Sequence, residues 1–593
     1  MMGAARAIWL LVRMSVRVAP WQSAACLCES IGVALNLLRP LYLAWFVSGA
    51  IEHDAARMTT ATIAFVVQVG VGRLLIIIGM NARAGQLERV GYAFDTRIAE
   101  ITAGTPDVEH FDNPEYLDQM QILREEAGAL GLAVNTLLNT LSTLTAAIGT
   151  IALAITADWR MLLVAAAGLP SLLFAPLVVR WQTRAEQLGA ESGRLANHLL
   201  HLGTTPAAAG ELRIFDLAAP LRGRLGEATR AWRAPKLALA RRESAVTVAS
   251  QVLFYGSAAA VLSWLVSDVI AGHLTVGALT LALLLVGRLQ GTSSEMRSVI
   301  GQVASMSRTA GRFLWLLDAE RELHRRYTGI EQPPAVLRDG ITLSALTYRY
   351  PNATALAVDS ISLDLPAGSV IALVGENGAG KSTLVNLLTG LLPATGGTMR
   401  IDGRDSRQFD LTAWRRQLAG AFQDHVRYEF TIRDAVGIGD IPARTDDSRV
   451  REAMRAGAAE AVLDSVPRGL STQLGATWQD GVDLSGGQWQ RITIARGMMR
   501  RSPILRVLDE PTAALDAATE HELFDRYTAA ARVGRSSGTV TVLVTHRFST
   551  VSAADLVVVL DRGRVVEQGS HGELMARRGY YAELYELQAR GYR

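Results

Sequence analysis

Lysine is nearly absent from this chain. Of 59 basic residues only Lys236 and Lys381 are lysines, and the others are arginines. An Arg- and Ala-rich composition explains the bias as a whole, so the bias alone indicates no function. It does give weight to Lys381, which ends a glycine-rich loop, because a lysine there places a compact ammonium on a flexible stem that can reach phosphate oxygens.

Cysteine is also scarce. The two cysteines, Cys26 and Cys28, lie two residues apart in an apolar stretch. Residues at this spacing on a helix point to different faces, which argues against a disulfide or a cysteine metal site. We expect both to be small packing residues.

A strong net charge is missing too. The chain carries a formal charge of only +3, which argues against nucleic acid as a dominant partner. Hydrophobic residues make up 49% of the chain and charged residues 19%, a balance that favours a membrane protein. Because 593 residues are too many for one core, we expect two or more domains.

Six apolar stretches precede residue 320 and have the character of membrane-spanning helices. Three of them contain no charged residue, whereas Arg39 and Arg73 interrupt the first two and the sixth continues past Arg288. The stretches cover approximately residues 21–51, 58–80, 127–157, 161–179, 244–267 and 274–286. The first 21 residues predict an amphipathic helix on the membrane surface rather than a signal peptide.

Arginine is concentrated in the long connections between these stretches. Residues 82–126 hold four arginines and residues 180–243 hold ten, while the short loops 52–57 and 158–160 hold one each. Positive residues favour the cytoplasmic side of a membrane protein. We therefore predict a multi-pass protein of the inner (cytoplasmic) membrane with both termini in the cytoplasm.

Arg39, Arg73 and Arg288 have two interpretations, because a charge inside a bilayer is costly. They could face a central cavity and bind an acidic or polar group of a cargo. Alternatively they pair with nearby acids such as Glu29 or Glu295, or extend to the membrane interface. Arg288 and Glu295 are seven residues apart and hence on one helix face, which favours pairing for Arg288.

An apolar strand, a glycine-rich loop and a helix follow one another in the second half. The strand at 369–375 leads into GENGAGKS (375–382), and STLVNLLTGL continues as a helix. This is the context that a phosphate-binding loop requires. The loop amides and the helix N-terminus favour an anion, Lys381 can neutralise phosphate oxygens, and the Ser382 hydroxyl can bind Mg²⁺.

The pentapeptide LSGGQ (484–488) lies between this loop and LDEP (508–511). With Tyr350 before the loop, Gln423 in AFQDHV and His546 in LVTHR, this order resembles the ABC-type ATPases. Together with the upstream stretches it resembles an exporter-type half-transporter over nearly the whole chain. The resemblance implies an all-α transmembrane domain of six helices at 1–325, a linker at 326–340 and an α/β P-loop ABC ATPase domain at 341–593.

The resemblance also implies roles around one nucleotide. Tyr350 would stack on adenine, with Tyr348 as the competing candidate. Asp509 would hold the metal, Glu510 would polarise the attacking water, and His546 would contact the γ-phosphate. The cofactors implied are ATP and Mg²⁺.

Two further motifs are implied to act between subunits and domains. Ser485 and the glycine amides after it would face ATP bound by a second subunit, and AALD (513–516) would join the two sites. Gln423 would reach Mg²⁺ and sense the γ-phosphate. Coupling helices would lie near 109–120 and before or around 210–217, with an ordinary helical hairpin as the alternative.

The predicted site residues fall into three groups. The catalytic residues are Glu510, His546 and Lys381. Nucleotide binding is assigned to Tyr350, Gly375, Glu376, Asn377, Gly378, Ala379, Gly380, Lys381, Ser382, Thr383, Gln423, Ser485, Gly486, Gly487 and Gln488. The metal ligands are Ser382, Gln423 and Asp509.

Two segments depart from the usual ABC exporter sequence, and a third resembles one group of exporters. Arg506 interrupts the apolar strand before Asp509, for which we expect a solvated edge or a local ion pair. TWQDGVD (477–483) lacks the Glu-Arg pair that many exporters carry there. The stretch DHVRYEF (424–430) and the LSGGQWQ sequence resemble exporters of ribosomal peptide antibiotics and related secondary metabolites.

The function that the resemblance implies is ATP-driven export by alternating access of a dimer. The partner would be a second copy or another half-transporter, and the cargo a small molecule, a peptide or a lipid. An importer or a lipid flippase with the same fold is the alternative. A soluble ABC ATPase of translation or DNA repair is excluded by the apolar stretches, and we expect no nucleic-acid partner.

Overall fold

The computed structural model describes residues 2–509, 537–545 and 548–591, and the chain divides into two compact units. One, the helical unit, consists of Met1–Thr102 and Gln119–Leu317. The other, the mixed unit, consists of Ala103–Asp118 and Asp318–Arg593. The mixed unit thus includes one segment from the N-terminal half of the chain. The domain boundaries at 325 and 341 stay a prediction.

The N-terminal half is helical throughout. Its helices are α1 (Met2–Val18), α2 (Pro20–Leu35), α3 (Arg39–Ile51), α4 (Ala55–Gly104), α5 (Pro114–Leu130), α6 (Ala133–Ala157), α7 (Met161–Leu173), α8 (Ala175–Thr204), α9 (Pro206–Ile214), α10 (Ala218–Ile270) and α11 (Val276–Arg326). Helix α1 confirms the predicted N-terminal helix. Its position on a membrane surface stays a prediction.

Six segments are long and apolar enough to cross a membrane, which confirms the six predicted stretches. They are Pro20–Ile51, Ala55–Gly104, Ala133–Ala157, Met161–Thr204, Ala218–Ile270 and Val276–Arg326. The third begins later than predicted, because residues 127–130 belong to α5 and the chain turns at 131–132. The predicted coupling helix near 109–120 is a 3-10 turn at Glu109–Asp112 followed by the start of α5, and α9 lies at the second predicted place.

Polar contacts hold α2 against α4. Glu29 pairs with Arg83 at 2.5 Å, and the buried Cys26 thiol donates to Gln86 Oε1 at 3.3 Å. Both cysteines are free thiols, as expected. Since Glu29 is bound to Arg83, the alternative that it pairs with Arg39 or Arg73 is wrong. Within the described part of the chain, both of those arginines are exposed.

A second ionic contact joins the start of α7 to the end of α10. Arg160 lies between Asp158 and Asp268, at 2.9 Å and 2.6 Å, and its guanidinium is 4.6 Å from the centre of the Trp264 ring. Below it, a buried apolar cluster of α6, α7, α10 and α11 includes Met161 and Phe254. These contacts close one end of the helical unit.

The mixed unit contains two sheets. Their strands are β1 (Gly340–Tyr348), β2 (Val358–Pro366), β3 (Val370–Val374), β4 (Gly396–Ile401), β5 (Arg404–Asp405), β6 (Leu418–Ala421), β7 (Leu505–Asp509), β8 (Val540–Val544), β9 (Leu556–Asp561) and β10 (Arg564–Gly569). Among described residues, the smaller sheet is antiparallel with order β2-β1-β4-β5. The larger has order β10-β9-β3-β8-β7-β6, and its strands are parallel except β10.

Helices cover the larger sheet and extend from its strand ends. They are α12 (Lys381–Leu388), α13 (Leu411–Arg416), α14 (Ile432–Gly437), α15 (Asp447–Ala456), α16 (Glu460–Asp464), α17 (Gly486–Gly497), α18 (His571–Arg577) and α19 (Tyr580–Gly591). Strands β3, β7 and β8 are buried along their whole length. The continuous apolar runs of these strands follow from this burial on both faces.

Arg506 contradicts the expected solvated edge. It lies in β7, which is paired on both sides by β6 and β8, and it is only 5% exposed. Burial, and secondarily the charge of Arg449, lowers the pKa of Arg506 to about 10. Its Nη2 donates to the Arg500 carbonyl at 3.4 Å, and no carboxylate of the described residues pairs with it.

Candidate nucleotide site

The glycine-rich loop connects β3 to α12 and closes on itself. Gly375 and Gly380 have φ angles of +151° and +98°, which side chains with a Cβ rarely adopt. A Cβ at Gly380 would lie 2.5 Å from the Ala357 carbonyl oxygen, and one at Gly375 would lie 2.2 Å from the Leu560 carbonyl oxygen. The sequence needs glycine at both places, because the backbone is both twisted and closely packed.

Lys381 lies inside this loop. Its Nζ donates to the carbonyl oxygens of Gly375 at 2.8 Å and Glu376 at 2.9 Å, and the residue is 6% exposed. The ammonium is thereby held against the loop at the N-terminus of α12, where the helix dipole adds positive potential. Gly378, at the tip, has open space where a Cβ would be. The cradle therefore suits a phosphate group.

The first turn of α12 supplies hydroxyl groups. Ser382 is exposed at the mouth of the loop, so its hydroxyl can bind a ligand. Thr383 is buried, and its Oγ1 lies 3.2 Å from Tyr350 Oη. Tyr350 is thus held beside the phosphate loop.

The structure distinguishes the two tyrosines that compete for the adenine. Tyr348 is fully buried in the core of the mixed unit, whereas Tyr350 is partly exposed. Their rings meet edge to face with centroids 5.0 Å apart. Of the two tyrosines only Tyr350 has exposed surface, which favours it for stacking on a base, and this role stays a prediction.

Asp509 lies at the same edge of the sheet as the phosphate loop. It is in register with Val544 of β8, which is itself in register with Leu373 of β3. Two strand spacings, about 10 Å, separate Asp509 from Leu373. Asp509 is 6% exposed. Its carboxylate and the Ser382 hydroxyl are oxygen donors of the kind that Mg²⁺ prefers.

Several predicted residues lie outside the described ones: Glu510, His546 and the AALD segment at 513–516. Their chain neighbours are described. Asp509 ends β7, and the buried Thr545 follows β8 directly. Gln423 is exposed and follows the neighbouring strand β6 by two residues. The predicted roles of all these residues stay predictions.

The LSGGQ segment forms the N-terminus of α17. Ser485 is the N-cap: its Oγ accepts from the Gln488 amide at 3.3 Å, and its own amide donates to Gln488 Oε1 at 2.9 Å. This reciprocal capping box fixes the turn. Ser485 and Gly486 are exposed, and Trp489 behind them is 1% exposed. The structure therefore presents a fixed, solvent-facing helix N-terminus.

The turn before LSGGQ is held by a residue that sequence reasoning did not single out. Glu429 accepts a short hydrogen bond from the Thr477 hydroxyl, and its carbonyl oxygen accepts from Gln473 Nε2 at 2.7 Å. Nearby, the Arg496 guanidinium is 4.6 Å from the Tyr428 ring centre. The DHVRYEF stretch thus packs on the signature region, in a chain that lacks the common Glu-Arg pair.

The segment Ala103–Asp118 is bound to the mixed unit by contacts that the sequence did not reveal. Tyr348 Oη donates to Glu109 Oε1 at 3.3 Å, and the Val108 amide donates to the Leu391 carbonyl oxygen at 3.0 Å. Tyr348 also contacts Tyr350. A continuous path of contacts therefore joins the adenine-stacking candidate to this segment.

Asp107 anchors the same segment. It is 1% exposed, it accepts from Tyr327 Oη at 2.9 Å, and His110 Nδ1 lies 3.5 Å from it. Burial acts to raise the pKa of Asp107, but the contacts with His110 and Tyr327 outweigh it and lower the pKa. Burial, and then the charge of Asp107, raises the pKa of Tyr327. The carboxylate is thus held ionised by His110, three residues away, and by Tyr327, 220 residues away in the chain.

Comparison with known proteins agrees with this geometry. The family described as "ABC transporter" matches residues 358–513. An ATP-dependent lipid A-core flippase of Bordetella avium (strain 197N) is 32% identical over 64% of this chain and 62% of that protein. Another, of Alcanivorax borkumensis (strain ATCC 700651 / DSM 11573 / NCIMB 13689 / SK2), is 27% identical over 90% of this chain and 89% of that protein.

Two further similarities concern a transport ATP-binding protein and a solved structure. The nisin transport ATP-binding protein NisT of Lactococcus lactis subsp. lactis is 28% identical over 69% of this chain and 66% of that protein. The structure of a bacterial Atm1-family ABC exporter with ATP bound has a TM-score of 0.70 and 24% identity, covering 95% of this chain and 97% of that one.

The alignment with the Bordetella avium protein spans less than two thirds of that relative. The fold, in contrast, is shared along nearly the whole chain. The matched segment contains the Lys381 loop and LSGGQ, so residues 358–513 form an ABC transporter domain. The apolar helices precede this domain, and the chain has the fold of an ABC exporter along nearly its whole length.

Proposed function

We propose that this protein is an ATP-driven exporter of the inner membrane that works as a dimer by alternating access. The observation that carries the proposal is the phosphate loop, where Lys381 bridges the Gly375 and Glu376 carbonyl oxygens at the head of α12. The loop belongs to a chain with an ABC exporter fold over 95% of its length. A phosphate site in an exporter fold couples nucleotide to transport.

In this proposal the chain's own residues bind and orient ATP. The adenine stacks on Tyr350, and the β- and γ-phosphates lie in the loop against Lys381 and the α12 amides. Glu510 orients and polarises the attacking water, and His546 contacts the γ-phosphate. When bound, Mg²⁺ would neutralise charge on the β- and γ-oxygens, held by Ser382, Asp509 and Gln423.

The second subunit is required because LSGGQ completes the site in trans. Ser485 and Gly486 are exposed and their turn is fixed by the capping box. A preorganised helix N-terminus binds an anion without a cost of ordering. Two mixed units therefore close on two ATP molecules, in a homodimer or with another half-transporter.

Nucleotide closure reaches the helices through the Ala103–Asp118 segment. Tyr350 contacts Tyr348, and Tyr348 donates to Glu109 at 3.3 Å. Movement of the adenine pocket is thereby passed to the segment that joins α4 to α5. The segment acts as the first coupling element, and α9 is the candidate for the second.

A lipid flippase is the second candidate. It is favoured by the relatives named ATP-dependent lipid A-core flippase, one of which aligns with 90% of this chain. The similarity to the nisin transport ATP-binding protein favours a cargo like nisin instead. Flipping and export share the same motor, so a transport assay decides between them.

The test measures ATPase turnover of the chain purified alone in lipid nanodiscs. Glu510→Gln should reduce turnover at least about 100-fold and retain ATP binding, because only water activation is removed. The matched control is Asp464→Asn, an exposed carboxylate in α16. Turnover that survives Glu510→Gln would contradict the assigned role.

A second variant tests the trans geometry. Ser485→Arg should block closure and turnover without weakening ATP binding to the same chain. Lost ATP binding would contradict the dimeric site. If the wild-type protein binds ATP but does not turn over, it needs a second half-transporter or a cargo. Uptake into inverted vesicles demonstrates export, and ATP-driven release from them demonstrates import.

A further inference from the structure

A polar pocket opens between α7, α8, α10 and α11 of the helical unit. Its volume is about 350 Å³, and a small adjoining lobe shares Ser171, Thr247, Ser294 and Arg297 with it. A pocket of this size holds a head group or a short peptide segment. Its lining residues all belong to the helical unit, and none of them is among the nucleotide-site residues.

The pocket exists because a helix is interrupted and its neighbours carry small side chains. Pro170 and Pro176 flank the break between α7 and α8 at Phe174, since a proline lacks the amide that a continuous helix would use. Small hydroxyl residues, Ser171 and Ser294, line the space that results. The apolar cluster that includes Met161 and Phe254 packs the same helices, and Phe254 also lines the small lobe.

The pocket lies well along the membrane-spanning helices. Ser171 is ten residues into α7, about 15 Å from its start at the helical rise of 1.5 Å per residue. By the predicted topology that start is external, so the pocket lies at the cytoplasmic end of the predicted spans 161–179 and 244–267. A cargo from the cytoplasm or the inner leaflet can reach it.

Two opposite charges line the pocket without pairing with each other. Arg297 of α11 donates from Nη1 to Thr247 Oγ1 at 3.3 Å, while its Nε is buried and makes no hydrogen bond to any described residue. Glu243 of α10 also lines the pocket. No ion pair joins it to Arg297 in the described part of the chain.

The spacing of these groups follows from the helix. Glu243, Thr247 and Gln251 are four residues apart in turn and lie on one face of α10. One turn, about 6 Å, separates Glu243 from the Thr247 level at which Arg297 is held. Gln251 Oε1, one turn further, is buried with no partner in the described chain. The face therefore offers an acceptor, a donor and an acceptor in series.

We propose that this pocket binds the dipolar head group of an amphipathic cargo, with an anionic oxygen group at Arg297 and an ammonium at Glu243. Glu243 and Arg297 lie beyond the apolar stretches at 244–267 and 274–286, and Arg297 Nε is buried without a hydrogen bond to any described residue. A buried charge is costly unless a partner satisfies it, and a ligand with both charges satisfies both at once. Val178, Val179 and Val246 form the apolar side of the pocket, which suits the apolar part of such a cargo. The inference rests on the proposed transport function and names its cargo class.

The shared chemistry, an ammonium next to a phosphate or carboxylate, occurs in ethanolamine phospholipids and in peptides with free ends. Calorimetric titration of the full chain in detergent, without nucleotide, separates the sources. The lipid probes are short-chain lipids with matched tails: a phosphoethanolamine, a phosphoglycerol and a trimethylammonium amphiphile. The peptide probes are leucyl-leucine with free ends and its amide.

We expect the wild-type chain to bind a dipolar probe at least tenfold more tightly than either singly charged lipid. Glu243→Gln should remove the preference over the anionic lipid, and Arg297→Gln should remove the preference over the cationic one. Arg242→Gln, one residue along α10 and facing a different pocket, should change neither. A phosphoethanolamine preference identifies a lipid source, and a leucyl-leucine preference a peptide source.

Equal binding of all head groups by the wild-type chain would overturn the proposal, as would variants that leave the preference unchanged. If Arg297→Gln does not fold, Arg297→Lys keeps the charge and should retain the preference, and Gln251→Leu should weaken binding without changing it. Because the titration uses no ATP, its failure is distinct from that of the motor. If the chain hydrolyses ATP but shows no head-group preference, the proposed exporter function is retained and only the proposed role of this pocket is rejected.

Discussion

The two units bury their apolar side chains to opposite degrees. In the mixed unit, Val542 and Leu508 of the central strands are 0% exposed. In the helical unit, Leu173 is 77% exposed, Ile148 70% and Val252 69%. The sheet completes its core within one chain, whereas the helices present apolar side chains outward.

This difference in burial indicates what stabilises each unit. Strands β3, β7 and β8 are buried along their whole length, so the core behind Lys381 and Asp509 is complete within one chain. Helices with outward apolar faces need lipid or another copy around them. The mixed unit is thus held by its own core, and the helical unit depends on its surroundings.

The largest effect is expected at the phosphate loop. Gly380→Ala should reduce ATPase turnover at least about 100-fold, because φ is +98° and the added Cβ meets the Ala357 carbonyl oxygen at 2.5 Å. Gly223→Ala in α10 is the control, since nothing lies within 4 Å of its added Cβ. Steady-state phosphate release measures both. Equal turnover in the two variants would show that the loop accepts a Cβ at position 380 despite the positive φ angle and the close carbonyl oxygen.

The contrast in burial gives the next largest effect. Leu508→Ala should destabilise the mixed unit by about 2–5 kcal/mol, because it leaves a cavity in a filled core. Leu173→Ala, at a residue that is 77% exposed, should change stability by no more than about 0.5 kcal/mol. Calorimetric unfolding in nanodiscs compares them. Similar shifts for both leucines would mean that the outward helix faces are packed as tightly as the sheet.

A smaller effect is expected at Asp107, which ties an N-terminal segment to the mixed unit. Its pKa is lowered, so its contribution is fully present above the ordinary carboxyl pKa of about 3.9 and is lost as pH falls through the lowered value. Asp107→Asn should cost about 1–3 kcal/mol at pH 7, because Tyr327 loses a charged acceptor. Amide exchange of residues 103–118 measures it.

The control for Asp107 is Asp112→Asn, an exposed acid in the same segment. Amide protection in the wild-type segment, measured relative to the intrinsic exchange rate at each pH, should fall as the solution is acidified below about pH 4. In the Asp107→Asn protein the protection of this segment should fall less. An equal fall in both proteins would assign the acid dependence to other groups. In that case the Tyr327 contact is not what holds the segment.

Most of the correct predictions about the fold and the candidate site came from patterns of residues that are close in sequence. The strand, loop and helix around Lys381, the capped helix at Ser485 and the apolar spans all depend on residues close in sequence. The contacts of Asp107 with Tyr327 and of Glu109 with Tyr348 join residues more than 200 positions apart, which no local period encodes.

The prediction that Arg506 lies at a solvated edge was wrong for a related physical reason. A charged residue in a strand predicts exposure, but β7 is paired on both sides and encloses the guanidinium. Only the strand order decides this, and strand order follows from the whole chain. The choice between Tyr348 and Tyr350 as the adenine-stacking residue is a similar case. The sequence left both as candidates, and their different burial in the structure favours Tyr350.

The smallest effect is expected at the short loop between α3 and α4. Arg57 pairs with Glu52 at 2.6 Å, but the two side chains are 40% and 56% exposed, so water and salt screen the pair. Arg57→Gln should change the unfolding free energy by less than about 1 kcal/mol. Arg160→Gln in the other short loop should cost more, because Asp158 and Asp268 would both lose their partner in a mostly buried contact. Unfolding at low and high salt compares the loops. A large, salt-independent loss from Arg57→Gln would show that exposure alone does not decide the strength of an ion pair at this surface.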